Sequence, residues 1–132
     1  ESAERLLSSA KEALDSGIFM ARVGKKVGDI GSAIEDSVRG SGFSLVEELG
    51  GHSIGKSLHE MPFIPNTGKE GSGAKLLAGM TIAIEPMVNE GARHIKLDAD
   101  GYTYRTKDGK RSAHFEDTIV VTEGAPEILT RL

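Results

Sequence analysis

Apolar residues return at three- and four-residue steps through residues 3–23, at Leu6, Leu7, Ala10, Ala13, Leu14, Ile18, Met20 and Ala21. That period lines them up along one side of an α-helix, so the pattern predicts an amphipathic helix laid against a core. Gly24 stands where a C-terminal cap is expected. A second helix is predicted over residues 29–39, with Ile30, Ala33, Ile34 and Val38 on one face and Gly40 behind it. The period then changes to two: Phe43-Ser44-Leu45-Val46 alternates as a half-buried strand does.

The remainder reads as strands and loops. Gly50 and Gly51 precede His52, and the pair is expected to let the backbone bend close to a ligand. Pro62 and Pro65 exclude a helix through their stretch. Residues 66–73, with Gly68, Gly71 and Gly73, read as a flexible surface loop. A strand is predicted over residues 81–87. A hairpin follows, from Ile95-Lys96-Leu97 through a turn at 98–101 to Tyr102-Thr103-Tyr104-Arg105-Thr106, with Asp100-Gly101 as the turn signal. The last long strand is predicted over residues 114–122, and residues 126–129 can add a short terminal one. Two helices followed by an antiparallel sheet make an α+β unit.

Composition narrows the partners rather than the fold. A length of 132 residues bounds one domain or part of one. The formal net charge is −4 and the Lys and Arg residues are scattered, so no basic surface argues for nucleic acid or an anionic membrane. The absence of cysteine excludes disulfides and thiol chemistry. No apolar run approaches the ~20 residues of a membrane span, and no signal-peptide pattern opens the chain. A cytoplasmic protein is therefore expected. The chain starts at Glu1 and enters a helical pattern within a few residues, which reads as a fragment of something longer.

Chemistry concentrates in three places. His52 lies in Gly51-His52-Ser53-Ile54-Gly55, and seven residues later comes His59-Glu60-Met61-Pro62. Glu85 lies in Ile84-Glu85-Pro86 and Glu116 in Phe115-Glu116-Asp117, each in an apolar, strand-like run. An isolated carboxylate loses its hydration in such a run, so it needs a partner. A divalent cation shared by two carboxylates and an imidazole supplies one, and points to hydrolytic chemistry. Taken singly, each motif is weak: a histidine after glycine is commonly a turn or satisfied core residue, and a carboxylate in an apolar strand says only that its buried charge is paired.

Together they carry a resemblance. The run from Gly51 to Asn66 (GHSIGKSLHEMPFIPN), the run from Gly79 to Gly91 (GMTIAIEPMVNEG) and the run from Ser112 to Glu123 (SAHFEDTIVVTE) resemble, in order, the motifs of methionine aminopeptidases. The likeness extends over essentially the whole chain. It implies the C-terminal half of such a catalytic domain, residues 1–132 forming half of a pita-bread fold, two helices followed by a curved antiparallel sheet. It further implies that His52, Glu85 and Glu116 are three ligands of a site for two divalent ions (Co, Mn, Fe or Zn), with two aspartates coming from the N-terminal half. Glu116 would bridge the ions, and Glu85 would bind one and accept the proton of the attacking water. His59 would contact the substrate or its developing oxyanion, while Leu58 and Tyr102 would line the pocket for the methionine side chain. The implied substrate is the N-terminal methionine of peptides and nascent proteins.

Three departures from the commonest form of these motifs stand out: Gly50 where cysteine is frequent, Ser53 where glycine is usual, and Asp117 where histidine often follows the glutamate. Ser53 is expected to narrow the pocket, and Asp117 to point away from Glu116. His114 shares a strand face with Glu116 and is expected to be a neighbour rather than a ligand; His94 is expected to be solvated. Asp117 resembles the proline-specific aminopeptidases and prolidases of the same fold, but the Glu85 context and the Ser112-Ala113-His114-Phe115 lead-in favour methionine aminopeptidase. The short stretch between His59 and Glu85 has no room for the helical insert of the type II enzymes. A non-catalytic pita-bread module that binds peptides is the remaining alternative.

Overall fold

The structure, a computed structural model, describes residues 1–131. Helix α1 spans Ser2–Met20 and α2 spans Val27–Val38. The predicted stripe is the buried one: Leu6, Ala10, Ala13, Leu14 and Ile18 face inward, whereas Leu7 is exposed. The helix ends before the apolar pattern does. There the Arg22 guanidinium turns back and donates from Nε to the Phe19 carbonyl at 2.8 Å. α2 begins ahead of its periodic residues because the Asp29 carboxylate accepts the Lys26 N–H at 2.7 Å, capping the first turn.

The strands are β1 Ser44–Leu45, β2 Gly51–Ile54, β3 Glu60–Ile64, β4 Thr81–Ile84, β5 Met87–Asn89, β6 Ile95–Leu97, β7 Tyr104–Thr106, β8 Ser112–His114, β9 Asp117–Val120 and β10 Glu127–Ile128. They form a five-stranded sheet in the order β10-β9-β4-β2-β3, a three-stranded sheet in the order β1-β5-β8, and the β6-β7 hairpin. Every pairing is antiparallel. The architecture is α+β, as expected. The helices pack on each other and across both sheets, α1 against β4, β5 and β8 and α2 against β1 and β3, around a core in which Ile30, Ile34, Ile64, Ile82, Ile84 and Ile119 are fully buried.

Two strands expected to run through are each cut in the middle. The run predicted at 81–87 splits at Glu85-Pro86, and the run predicted at 114–122 splits at Phe115-Glu116. Each chain segment leaves one sheet and enters the other at its break. Pro86 has no N–H to extend the ladder, which accounts for the first cut. The two breaks face one another, because Ile84 pairs with Asp117 on one side and Met87 with His114 on the other. Periodicity could not reveal this, since both halves of each run are equally apolar.

The stretch 66–73, expected to be loose, is pinned to α2. The Gly71 N–H donates to Asp29 Oδ1 at 2.7 Å and the Gly68 N–H to Glu35 Oε2 at 3.2 Å. A Cβ at Gly31 would collide with the Thr67 carbonyl oxygen, so only glycine lets the loop lie this close to the helix. Close approach, not bending, also explains the pair before His52. Neither Gly50 nor Gly51 has a positive φ, but a Cβ at Gly51 would strike the Ala83 carbonyl oxygen of the neighbouring strand. Among the described residues no helix is long and apolar enough to cross a membrane.

Candidate metal centre

His52 sits on β2 at a bulge: the pairing with β3 shifts register between His52 and Ser53. A bulge re-aims the side chain beside it. His52 Nδ1 lies 3.1 Å from the Ser53 carbonyl oxygen. A carbonyl can only accept, so Nδ1 carries a proton and, in the neutral ring, Nε2 keeps its lone pair. That lone pair faces Glu85 Oε1 at 3.4 Å. Two electron-rich atoms so placed repel unless a proton or a cation stands between them.

Glu116 closes the group. One ligand atom from each of His52, Glu85 and Glu116 lies within 4.8 Å of the others. Among the described residues, the charged partners of Glu85 and Glu116 are histidines; no Lys or Arg pairs with either. An imidazole lone pair and two carboxylates converging without a fixed positive charge is a donor set that suits a divalent cation. The two carboxylates differ in setting. Glu85 has a side chain only 15% exposed, whereas that of Glu116 is 43% exposed. Contrary to the expectation from the apolar runs, neither stands inside a strand: Glu85 lies in the break between β4 and β5 and is the more enclosed, and Glu116 lies in the break between β8 and β9.

His114, at the end of β8, reaches the same group. Its Nε2 lies 3.5 Å from Glu85 Oε2 and 3.9 Å from Glu116 Oε2. The Glu85 contact raises the His114 pKa above its ordinary value; partial burial opposes this, and the charges of Glu85 and Glu116 add to it. His59, immediately before β3, is exposed and meets His52 edge to face, with ring centroids 4.2 Å apart.

A cavity of about 660 Å³ opens over these groups, lined by His52, His59, Glu85 and His114 and by an apolar wall that includes Leu49, Met61, Phe63, Met87 and Tyr104. Leu58 and Tyr102, the residues expected to line a pocket, are 66% and 88% exposed and are not part of this wall. Sequence reasoning missed Met61 and Phe63, although strand alternation from His59 places both on its side of β3. It also missed Asn66, which is buried and donates from Nδ2 to the Glu85 carbonyl.

The remaining candidates fall outside the group. Ser53 does not narrow the cavity; it is buried on the other face of β2, with its hydroxyl donating to the Pro62 carbonyl at 3.2 Å. Glu60, next to His59, accepts the Ser57 N–H at 2.9 Å. Asp117 turns away from Glu116 and accepts from Thr130 Oγ1 and Arg131 Nε, both at 2.6 Å. His94 is exposed.

An antiparallel sheet divided at two facing breaks, with a histidine and two glutamates gathered beside them, is a frame that suits a divalent cation. The chain belongs to metallopeptidase family M24, which it matches over residues 1–123. It is 46% identical over 130 residues to a methionine aminopeptidase of Clostridium perfringens, covering 98% of this chain and 52% of that protein. It is 49% identical over 128 residues to methionine aminopeptidase A of Synechocystis, covering 97% and 51%. The crystal structure of methionine aminopeptidase from Thermotoga maritima superposes with a TM-score of 0.96 at 43% identity, covering 100% of this chain and 53% of that one. The chain spans about half the length of the curated relatives it matches.

Proposed function

We propose that this chain is the C-terminal half of a type I methionine aminopeptidase, a cytoplasmic metallo-exopeptidase that removes N-terminal methionine from peptides and nascent proteins. The observation that carries the reading is the convergence of His52, Glu85 and Glu116 beside an apolar cavity. The likeness to methionine aminopeptidases across the chain supports it. In this reading the three side chains hold part of a site for two divalent ions, completed by two aspartates from the other half. The ions would lower the pKa of a shared water and polarise the scissile carbonyl.

The chain's own residues divide the remaining work. Glu85, the less exposed carboxylate, is placed to take the proton from the attacking water. Glu116, in the opposite break, would be the ligand shared by both ions, as the resemblance implies. His59 stands off the metal-binding group and faces the cavity, where an imidazole N–H can donate to an oxyanion on the substrate. Met61, Phe63 and Tyr104 provide apolar surface for the methionine side chain, with Leu58 and Tyr102 as further contacts implied by the resemblance.

The test is substrate choice by the protein completed with its upstream half. Release of methionine from Met-Ala-Ser peptides, abolished by a chelator, is the expected result. Cleavage only before proline would assign the chain to the proline-specific branch. Peptide binding with no cleavage in any added metal would assign it to the non-catalytic modules.

A further inference from the structure

Asp117 carries a buried charge to which the proposed function gives no task. Its side chain is 7% exposed, and it accepts from Thr130 Oγ1 and Arg131 Nε, both at 2.6 Å. Arg131 in turn donates from Nη2 to Asp15 Oδ1 on α1 at 2.6 Å. The segment that supplies Thr130 and Arg131 is laid along β9 by the β10 pairing. Two further bonds continue it: the Leu129 N–H donates to the Thr118 carbonyl at 2.9 Å, and the Thr118 N–H to Thr130 Oγ1 at 3.2 Å. Helix α1, strand β9 and residues 130–131 thus meet in one clamp centred on a guanidinium.

Stability alone is a weak reason for such a cluster, because apolar groups in place of a buried ion pair are often as stable or more so. Its position supplies another reason. Asp117 follows Glu116 directly and pairs with Ile84, the residue before Glu85, so the clamp stands behind both breaks. Glu116 needs such support. It lies between strands, its side chain is 43% exposed, and the charged group within 4 Å of it is His114, at 3.9 Å. On one side of Glu116, Phe115 packs against the core. On the other stands the clamped Asp117.

We propose that Asp117 is a positioning residue for Glu116: Arg131 and Thr130 fix the Asp117 carboxylate, and the main chain so held aims the Glu116 carboxylate at His52 and Glu85. The inference rests on the reading of these three as metal ligands and extends it to the groups that set their geometry. Asp117 acts through the backbone and not as a ligand, since its side chain points to the opposite face from Glu116. Loosening the clamp leaves the ligand set complete but poorly aimed, so the ion is held more weakly.

Two measurements on the 132-residue chain test this, at a temperature where circular dichroism shows each variant folded. Calorimetric titration with Co²⁺ reads the affinity, and ¹⁵N relaxation of the metal-free chain reads the order of each amide. Asp117→Asn keeps the side-chain shape but removes the charge that holds Arg131. It should lower Co²⁺ affinity about tenfold, the lower end of what losing an outer partner of a metal ligand costs. The Glu116 amide should fall below the order parameter of about 0.85 typical of rigid backbone, with the change confined to residues 115–118. Unchanged affinity would overturn the proposal. So would a loss of affinity with Glu116 as ordered as before, or with the whole chain loosened equally, since either marks Asp117 as structural only. Co²⁺ affinity indifferent to Glu116→Gln would instead overturn the centre, and the proposal with it. Should Asp117→Asn fail to fold, Arg131→Lys takes its place, because an ammonium keeps the charge but cannot span two carboxylates as the guanidinium fork does. The same paired loss of affinity and of order at Glu116 is expected there, and its absence overturns the proposal.

Discussion

The Asn66 side chain donates from Nδ2 to the main-chain carbonyl of Glu85 at 3.1 Å, linking the loop held by α2 to the break that carries a metal-binding carboxylate. Asn66 is 2% exposed, and its Oδ1 has no hydrogen-bond partner among the described residues. The amide is therefore retained for what Nδ2 does. Pro86 cannot pair across this break, so the Asn66 bond is what fixes the peptide from which Glu85 projects.

Asn66→Ala is expected to destabilise the fold by about 1–3 kcal/mol, the range for leaving a buried carbonyl unpaired. It should also weaken Co²⁺ binding by about tenfold or more. Asn66→Asp keeps the shape but, when ionised, sets an oxygen against the carbonyl, so it should bind Co²⁺ more weakly than the alanine variant. Calorimetric titration of both variants checks this ordering. Unaltered affinity in Asn66→Asp would show that the bond does not position Glu85.

Asp29 predicts an acid limit to stability. Burial pushes its pKa up, but the Gly71 and Lys26 N–H groups bonded to the carboxylate outweigh this, and Lys25 and Lys26 assist, leaving it below the ordinary 3.8. A folded pKa below the unfolded one means that the ionised group stabilises. That contribution is complete above about pH 3.8 and disappears as the pH falls through the lower folded value. Asp29→Asn should cost about 1 kcal/mol near neutrality, as loss of a helix-capping acceptor does. Urea unfolding of both proteins from pH 7 to pH 2 should show the gap narrowing only below about 3.8. A gap that stays constant to pH 2 would remove the charge from the explanation.

Glu116 and His59 separate metal holding from turnover. In the completed protein, Glu116→Gln should release at least one ion and abolish activity, because a ligand loses its charge. His59→Ala should leave metal content intact and lower kcat by about a hundredfold or more, as removal of one oxyanion donor does. Metal analysis alongside steady-state kinetics on both variants is the measurement. The roles are reversed if His59→Ala empties the site and Glu116→Gln keeps both ions.

Local pattern carried the helices, the hairpin and the three chemical motifs because each is a property of neighbours in the chain. Leu6 to Ile18 repeat at helical spacing, and an apolar run around Glu85 is visible without any partner. What was not legible depends on residues far apart in sequence. The switch of sheets at Glu85 and Glu116 follows from Ile84 pairing with Asp117 while Met87 pairs with His114. The anchoring of residues 66–73 follows from Asp29 and Glu35 on α2, which accept the loop's N–H groups, and from the clearance at Gly31, none of which the loop's own composition shows. The apolar wall lay within reach of the sequence, since Met61 and Phe63 alternate with His59 along β3.

Residues 1–132 alone are expected to bind one divalent ion and to hydrolyse no peptide. The chain supplies His52, Glu85 and Glu116, one ligand atom of each lying within 4.8 Å of the others, which provides for a single ion. A second ion beside it would have little beyond a shared Glu116 oxygen and water, too few strong ligands to hold it. A lone ion can polarise a carbonyl, yet it leaves the attacking water without the second cation that the proposed mechanism uses. The cavity wall is also left open, with Met61 81%, Phe63 41% and Tyr104 50% exposed. Apolar surface of that kind favours association, either with further copies or with a covering segment. Mixing the chain with a separately made half of a relative, one that carries the two aspartates, should raise metal uptake from one ion to two and restore release of methionine. Chelator-sensitive peptidase activity from purified residues 1–132 alone would show that the chain holds a complete site and that the account of its ligands is wrong.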